Sequence, residues 1–400
     1  MNFEDFNFHP NLQEGIDAIN YKTPTPVQEQ VIPYILQGKD VIASAQTGTG
    51  KTAAFLLPLI HNIISTPHDD QQIKALVIVP TRELAIQISQ NMEGFSYFTS
   101  VSSIAVYGGG DGHTYAIEKN ALSSGADVVI ATPGRLLSHL NMGYVKVQQL
   151  KYLVLDEADR MLDMGFFDDI IKIMSYLPAQ RQNLMFSATM PPKIRDLAKK
   201  ILRNPEEVSI SISKPAEKIV QQAFVVYDAQ KGPLVKYLLK EHNFRSVIIF
   251  CSKKENVKEL ARELKKAQFL AEEIHSDLDQ ARREEVLLAF RSRRLSILVA
   301  TDILSRGIDI DNIQLVINYD VPNDGEDYVH RIGRTARAET DGIAYTFISE
   351  KEQHKFGQIE ALLGKAVTKS IVPADFGATP EYNPHEKHNP NRRKPFRRKR

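Results

Sequence analysis

Short, largely apolar runs recur along the chain at residues 41–44, 75–79, 127–130, 152–155 and 183–186, with longer helical patterns between them. Runs of this length without polar alternation read as strands buried on both faces, and the intervening stretches as the crossovers that parallel strands require. A polar interval at residues 204–218, carrying Pro205, Pro215 and three serines, interrupts the rhythm, which resumes at residues 247–250, 296–299, 315–317 and 344–347. The pattern predicts an α/β chain with two domains, 1–203 and 219–372, each a mostly parallel sheet with helices on both faces, joined by a linker at 204–218. From Pro373 onwards there is no periodicity and four further prolines follow (Pro380, Pro384, Pro390, Pro395), so residues 373–400 are expected to be disordered.

Composition adds bounds. A chain of 400 residues, 42% hydrophobic and 25% charged, suits a globular protein of about two or three domains. The single cysteine, Cys251, excludes an internal disulfide and a cysteine-rich metal site, and its apolar neighbours make a buried, inert thiol the expectation. Residues 1–5 carry no basic or apolar leader, and no apolar stretch reaches the ~18 residues of a membrane span, so a cytoplasmic protein without membrane contact is expected. Charge is more informative. Of 50 Lys and Arg residues, seven lie in residues 391–400 with no acid among them, leaving 43 basic against 49 acidic residues elsewhere. The net charge of +1 hides an acidic body and a basic tail with affinity for polyanions.

The candidate chemistry begins where the first strand ends. Ala45-Gln46-Thr47-Gly48-Thr49-Gly50-Lys51-Thr52 stands between that strand and an apolar helical run, so its glycines fall where a strand turns sharply into a helix. Gly48 and Gly50 let backbone N–H groups approach phosphate, and the helix N-terminus adds its positive dipole end. Lys51 reaches the β and γ oxygens, and Thr52 ligates Mg²⁺. Ala45 replaces the first glycine of the general pattern. Asp156-Glu157-Ala158-Asp159 stands at the carboxyl end of the strand at 152–155, the edge at which open α/β sheets bind ligands. Asp156 is expected to hold Mg²⁺, and Glu157 to position or deprotonate the attacking water. Together the two motifs predict hydrolysis of a nucleoside triphosphate. The second half has no phosphate loop, but His330-Arg331-Ile332-Gly333-Arg334-Thr335-Ala336-Arg337 sets Arg334 and Arg337 one helical turn apart. Two guanidinia so placed can meet a γ-phosphate, a contact worth about 10³–10⁵ in rate.

With these residues in order, the chain resembles the DEAD-box ATP-dependent RNA helicases from Phe3 to about Ile371. The resemblance implies two tandem RecA-like domains, ATP and Mg²⁺ as cofactors, and RNA as partner. Asn20-Tyr21-Lys22-Thr23-Pro24-Thr25-Pro26-Val27-Gln28 is similar to the adenine-recognising Q motif, which implies that Tyr21 stacks on the base and Gln28 reads its edges. Phe3 matches the aromatic that the family carries upstream. Thr81 and Arg82 in Pro80-Thr81-Arg82-Glu83-Leu84, the pair Gly108-Gly109, and Thr132-Pro133-Gly134-Arg135 resemble motifs that grip the RNA sugar–phosphate backbone. Ser187-Ala188-Thr189 resembles the motif coupling hydrolysis to strand separation, which puts Ser187 and Thr189 in the catalytic set. In the second domain the matching motifs imply RNA contact by Ser252, Gln280, Arg283 and Thr301, and ribose contact by Asp309. They make Arg334 and Arg337 arginine fingers and His330 a link to the first-domain motifs. Asn20 and Ala336 stand where glycine is usual. The run 161–166 and the short basic tail look most like the bacterial RhlE-type subgroup.

The implied activity is ATP hydrolysis coupled to local separation of short RNA duplexes, with little sequence preference because contact is to backbone. Structured or duplex RNA is the expected partner, with ribosomal or RNA-decay proteins as further candidates. An ATP-gated RNA clamp or ribonucleoprotein assembly scaffold with little processive unwinding fits the same motifs, which do not separate the two.

Overall fold

A computed structural model describes residues 1–45, 49–66, 72–109, 112–210, 219–242, 244–301, 313–323, 325–335 and 342–385. The chain divides into two compact units, Met1–Ser213 and Lys214–Arg400.

The first unit opens with a 3₁₀ turn at Phe3–Phe6, then α1 (Pro10–Ala18), α2 (Pro26–Leu36), β1 (Val41–Ser44) and α3 (Lys51–Ile64). It continues with β2 (Ala75–Ile78), α4 (Arg82–Phe95), β3 (Ser103–Val106), α5 (Gly112–Ser124), β4 (Val128–Ala131) and α6 (Pro133–Asn141). β5 (Tyr152–Leu155), α7 (Ala158–Asp163), α8 (Phe167–Met174), β6 (Gln182–Ser187), α9 (Pro192–Ile201) and β7 (Glu206–Ser209) complete it. The strands form one parallel sheet in the order β3-β4-β2-β5-β6-β1-β7. Alternate residues of each strand feed two cores, one per face: Val41, Val77, Ile130, Val154 and Phe186 enter one, Ile42, Leu76, Val129, Leu153 and Met185 the other. This two-sided burial makes the central strands apolar throughout.

The second unit comprises β8 (Ile219–Val225), α10 (Asp228–His242), β9 (Val247–Phe250), α11 (Lys254–Lys266), β10 (Ala271–Ile274) and α12 (Gln280–Arg291). β11 (Ile297–Ala300), β12 (Leu315–Asn318), α13 (Gly325–Ile332), β13 (Gly342–Ile348), α14 (Gln353–Leu363) and β14 (Thr368–Lys369) follow. Its sheet is also parallel, in the order β10-β11-β9-β12-β13-β8-β14, the first sheet's order with every label raised by seven. The two units are therefore built on one topology, and each strand of the first has a counterpart in the second. Cys251 is buried in the second core as expected.

Two expectations need correction. Residues 206–209, read as linker, form β7 beside β1, with Val208 buried in the first core and Glu206 and Glu207 kept outward. The proline-rich stretch after Pro373 is ordered and docked as far as residue 385. Phe376 packs edge-on to Tyr237 with ring centroids 5.7 Å apart, and Gln230 Nε2 donates to the carbonyls of Phe376 (2.8 Å) and Ala378 (3.1 Å). Pro384 seats over Gly357, where a Cβ would come within 2.7 Å of the proline ring. Aromatic anchors and a missing side chain order a segment that has no periodicity to declare it. Residues 386–400 lie outside the described residues.

Candidate functional site

β1, β6 and β5 lie side by side in the first sheet, and their carboxyl ends bring Ala45, Ser187 and Asp156 together. The Ala45 N–H donates to the Ser187 carbonyl at 3.1 Å. Gln46, Thr47 and Gly48 of the phosphate loop lie outside the described residues, and Thr49 and Gly50 lead into α3. Gly50 has φ +91°, and a Cβ there would meet Gln28 Nε2 at 2.5 Å and Thr25 Oγ1 at 3.0 Å, so conformation and space both require glycine. Lys51, the first residue of α3, is buried, and its ammonium donates to the Ala45 carbonyl at 2.8 Å. Thr52 follows in the first turn. Asp156 is 3% exposed, and burial pushes its carboxyl up to about 6 against the opposing charge of Lys51. One carboxylate and one hydroxyl are what Mg²⁺ takes from protein when phosphates and water supply the rest. No group of three or more His, Cys, Asp or Glu among the described residues could hold a metal alone.

The base side is built on α2. Thr25 and Gln28 form a capping box, with the Thr25 N–H donating to Gln28 Oε1 at 2.8 Å, and Gln28 Nε2 donates onward to the Gly50 carbonyl at 3.0 Å. The side chain expected to read a base thus also braces the phosphate loop. Tyr21 is 41% exposed and is backed by Phe3 and Phe95 at centroid distances of 5.8 Å each. Phe3, expected to bind the cofactor, is 1% exposed within the core, so it supports Tyr21 from behind and offers no face of its own. Asn20 has φ +59°, the left-handed conformation that asparagine tolerates best after glycine, which explains how it substitutes there.

The acidic motif is held by its neighbours. Glu157 occupies the left-handed region at φ 50° as N-cap of α7, its N–H donating to Asp156 Oδ1 at 2.9 Å, and Arg160 Nη1 donates to its Oε2 at 3.3 Å. Asp159 ties this turn to the next motif: its N–H donates to Ser187 Oγ at 3.3 Å, its Oδ2 accepts the Thr189 N–H at 3.2 Å, and Ser187 Oγ donates to the Thr189 carbonyl at 2.8 Å. Ser187 and Thr189 are thereby linked to the acidic turn through Asp159.

Further along the same sheet edge, β2, β4 and β3 present the loops expected to grip RNA backbone. Thr81 is the N-cap of α4, its Oγ1 accepting the Leu84 N–H at 3.4 Å, and Thr132 is the N-cap of α6, with Pro133 and Gly134 in its first turn. Two helix N-termini so aligned offer N–H groups to anions. The Arg82 guanidinium lies against Gly109, where φ is +90° and a Cβ would fall 2.0 Å from Arg82 Nη1; Gly108 is adjacent. Arg135 Nε donates to Glu118 Oε2 at 2.7 Å. Glu118, a lone acid in α5, carried no sequence signal.

In the second unit the counterpart strands β9, β11 and β10 present Ser252, Thr301 and the start of α12. The Ser252 N–H donates to Asp320 Oδ2 at 2.8 Å. Gln280 and Arg283 lie in the first turn of α12, capped by Asp279, and Arg283 Nη2 donates to the Ser276 carbonyl at 3.2 Å. Asp309, Ala336 and Arg337 lie outside the described residues. α13 ends at Ile332, and the Gly333 N–H caps it on the Val329 carbonyl at 2.8 Å. Arg334 stands in a turn beyond the helix, its N–H donating to the Arg331 carbonyl at 3.3 Å, and its spacing to Arg337 falls outside the described residues. His330 and Arg334 are both buried. A cavity of about 620 Å³ opens where the first unit has its phosphate loop, and Lys231 of α10 there meets Asp320 and Glu352 at 3.1 Å each. Burial works to lower the Lys231 pKa, but Glu352 and Asp320 outweigh it and hold it above its ordinary value. An internal ion cluster thus stands in the second unit where phosphate is expected in the first.

Residues 25–197 match the DEAD/DEAH box helicase family, and residues 230–339 match the helicase conserved C-terminal domain. The chain is 43% identical over 372 residues to the ATP-dependent RNA helicase CshA of Listeria monocytogenes, covering 93% of the chain and 70% of that protein. It is 40% identical to the ATP-dependent RNA helicase DeaD of Mycobacterium tuberculosis over 93% of the chain and 65% of that protein, slightly under two thirds of its length. In fold it is similar to S. cerevisiae Dbp5 bound to RNA and ADP BeF3, with TM-score 0.83 and 31% identity over 92% of the chain and 95% of that structure. Mss116p bound to ssRNA and AMP-PNP gives TM-score 0.82 and 30% identity over 94% of the chain and 80% of that structure.

Proposed function

Because the chain belongs to the DEAD/DEAH box helicase family and carries its two tandem RecA-like domains, we propose that it is an RNA-dependent ATPase that separates short RNA duplexes locally. One observation carries this reading: a single sheet edge presents Lys51, Asp156 and Ser187 beside Thr81, Gly109 and Arg135, so triphosphate chemistry and a backbone-gripping surface are neighbours on one rigid element. Tyr21 and Gln28 select adenine. Asp156 and Thr52 would hold Mg²⁺, which would supply charge neutralisation at the phosphates, and Glu157 takes the proton of the attacking water. Arg334 and Arg337 are the cations for the γ-phosphate, Asp309 contacts the ribose, and Ser252, Gln280, Arg283 and Thr301 extend the RNA surface.

No helix among the described residues is long and apolar enough to cross a membrane, and a cytoplasmic location goes with this reading. Ribosomal or RNA-decay proteins are the partners it suggests, and the 161–166 run with the short basic tail supports the RhlE-type subgroup. The deciding experiment measures ATP turnover against increasing single-stranded RNA, with Lys51→Ala as the control, and in parallel the release of one strand from a short labelled duplex. RNA should stimulate turnover, Lys51→Ala should abolish it, and the strand should be released in ATP. Turnover indifferent to RNA overturns the reading; stimulated turnover without strand release favours the clamp.

A further inference from the structure

Glu118 is 2% exposed at the centre of α5, and its carboxylate is shared by two of the loops just described. Oε1 accepts the backbone N–H of Tyr107, the residue before Gly108-Gly109, at 3.2 Å. Oε2 accepts from Arg135 Nε at 2.7 Å and lies 2.9 Å from His139 Nε2. One helical turn earlier, the Tyr115 ring lies under the Arg135 guanidinium at 4.6 Å and stacks on His139 at 4.6 Å with 18° between planes. The Tyr144 hydroxyl closes the cluster on His139 Nδ1 and on the Tyr115 hydroxyl. Burial works to raise the Glu118 pKa, but hydrogen bonds from His139, Arg135 and Tyr107 and the Arg135 charge outweigh it and hold it below the ordinary carboxylate value. Arg135 is fixed through Nε and its lower face, and its Nη2 is buried without a hydrogen-bond partner among the described residues.

We propose that Glu118 is a positioning residue for RNA: it locks Arg135 and the residues 107–109 into one surface, so that the affinity for RNA backbone depends on it. This rests on the reading of the β2, β3 and β4 loops as an RNA surface. A buried ion pair that merely joined α5 to α6 would alter stability without altering RNA affinity. Glu118 does more, because a guanidinium held at Nε has a fixed plane, so the 15% of the Arg135 side chain that is exposed meets a phosphate in one orientation.

The test measures KM for an unstructured RNA and kcat in RNA-stimulated ATP turnover for the full chain and for Glu118→Ala, Glu118→Gln, Arg135→Ala and the Glu118→Ala/Arg135→Ala double variant. Glu118→Ala should raise the RNA KM about tenfold while kcat at saturating RNA stays within about twofold. Glu118→Gln, whose single amide oxygen can accept from Tyr107 or from Arg135 but not from both, should recover only part of that loss. The double variant should lose less than the two single losses combined, since the carboxylate acts in part through the arginine. An unchanged RNA KM in Glu118→Ala, or full additivity in the double variant, overturns the inference. Should Glu118→Ala not fold, Glu118→Asp carries the test: it should raise the RNA KM about fivefold, and an unchanged value overturns the inference equally. If Arg135→Ala itself leaves the RNA KM unchanged, it is the RNA reading of these loops that falls.

Discussion

Gln28 joins the two ends of the nucleotide site, its Oε1 accepting the Thr25 N–H at 2.8 Å and its Nε2 donating to the Gly50 carbonyl at 3.0 Å. The bond fixes the left-handed turn from which α3 starts, so the residue proposed to read a base also sets where Lys51 begins its helix. The proposed base site and the start of α3 are thereby linked through one side chain.

Gln28→Ala should therefore do more than weaken base recognition. The KM for ATP should rise and discrimination against GTP should relax, but kcat should fall as well, because the Gly50 carbonyl loses its donor. Removing a buried amide with two backbone partners should also cost about 1–3 kcal/mol of stability, visible as a lower Tm. Wild-type protein that already turns over GTP as well as ATP would refute the base-reading role, and an unchanged kcat in the variant would refute the bracing role.

Glu157→Gln should keep ATP binding and slow hydrolysis at least a hundredfold, since Asp156 remains to hold the metal while the water loses its base. Glutamine keeps the length of the side chain at a backbone position with φ 50°, and Arg160 loses a charged partner 3.3 Å away. In ATP this variant should hold RNA longer than wild type. Equal dissociation rates of labelled RNA from the two proteins would count against coupling of hydrolysis to release.

The strands legible from the sequence were the ones in the middle of each sheet. Residues 41–44, 75–78, 128–131, 152–155, 247–250 and 315–318 are flanked on both sides and covered on both faces, so nearly every position is apolar. The strands that escaped notice are β3, β7, β10 and β14 at the edges and β8 next to an edge. β10 reads Ala-Glu-Glu-Ile and β7 Glu-Glu-Val-Ser, polar where one side faces water, and a four-residue run of that kind carries no periodic signal. The chemistry at strand ends was similarly legible wherever a motif is local, as for Lys51 or Asp156. Glu118, Asp320 and Lys231 were not, because each acquires its role from partners 17 to 121 residues away that only the fold brings within hydrogen-bonding distance.

Gly109→Ala tests whether the RNA-facing loops have fixed geometry. A methyl group there would collide with the Arg82 guanidinium and force φ +90° on an alanine, a strain of about 1–2 kcal/mol. Either Arg82 or the loop must move, so affinity for single-stranded RNA should fall about tenfold while ATP affinity without RNA is retained. Fluorescence anisotropy with a labelled oligonucleotide reads the effect, and wild-type affinity would show that this loop does not touch RNA. Gly112→Ala, with nothing within 4 Å of its Cβ, is the matched control and should bind RNA normally.

The basic tail gives the last prediction. Residues 391–400 carry seven positive charges and no acid, whereas the rest of the chain has an excess of acid. They follow a docked stretch whose contacts with Gln230, Gln353 and Gly357 place its end at residue 385 on the second unit. Deleting 391–400 should leave those contacts intact and remove only charge. RNA affinity should fall and log K should depend less steeply on log salt, because fewer counterions are released when RNA binds. ATP turnover at saturating RNA should change by less than about threefold, since every group assigned to phosphoryl transfer lies between Lys51 and Arg337. The comparison is the salt slope of full-length and truncated protein on one unstructured RNA. Identical slopes would make the tail a solvated appendage, whereas a flatter slope with unchanged saturated turnover would make it an electrostatic tether that acts on RNA capture alone.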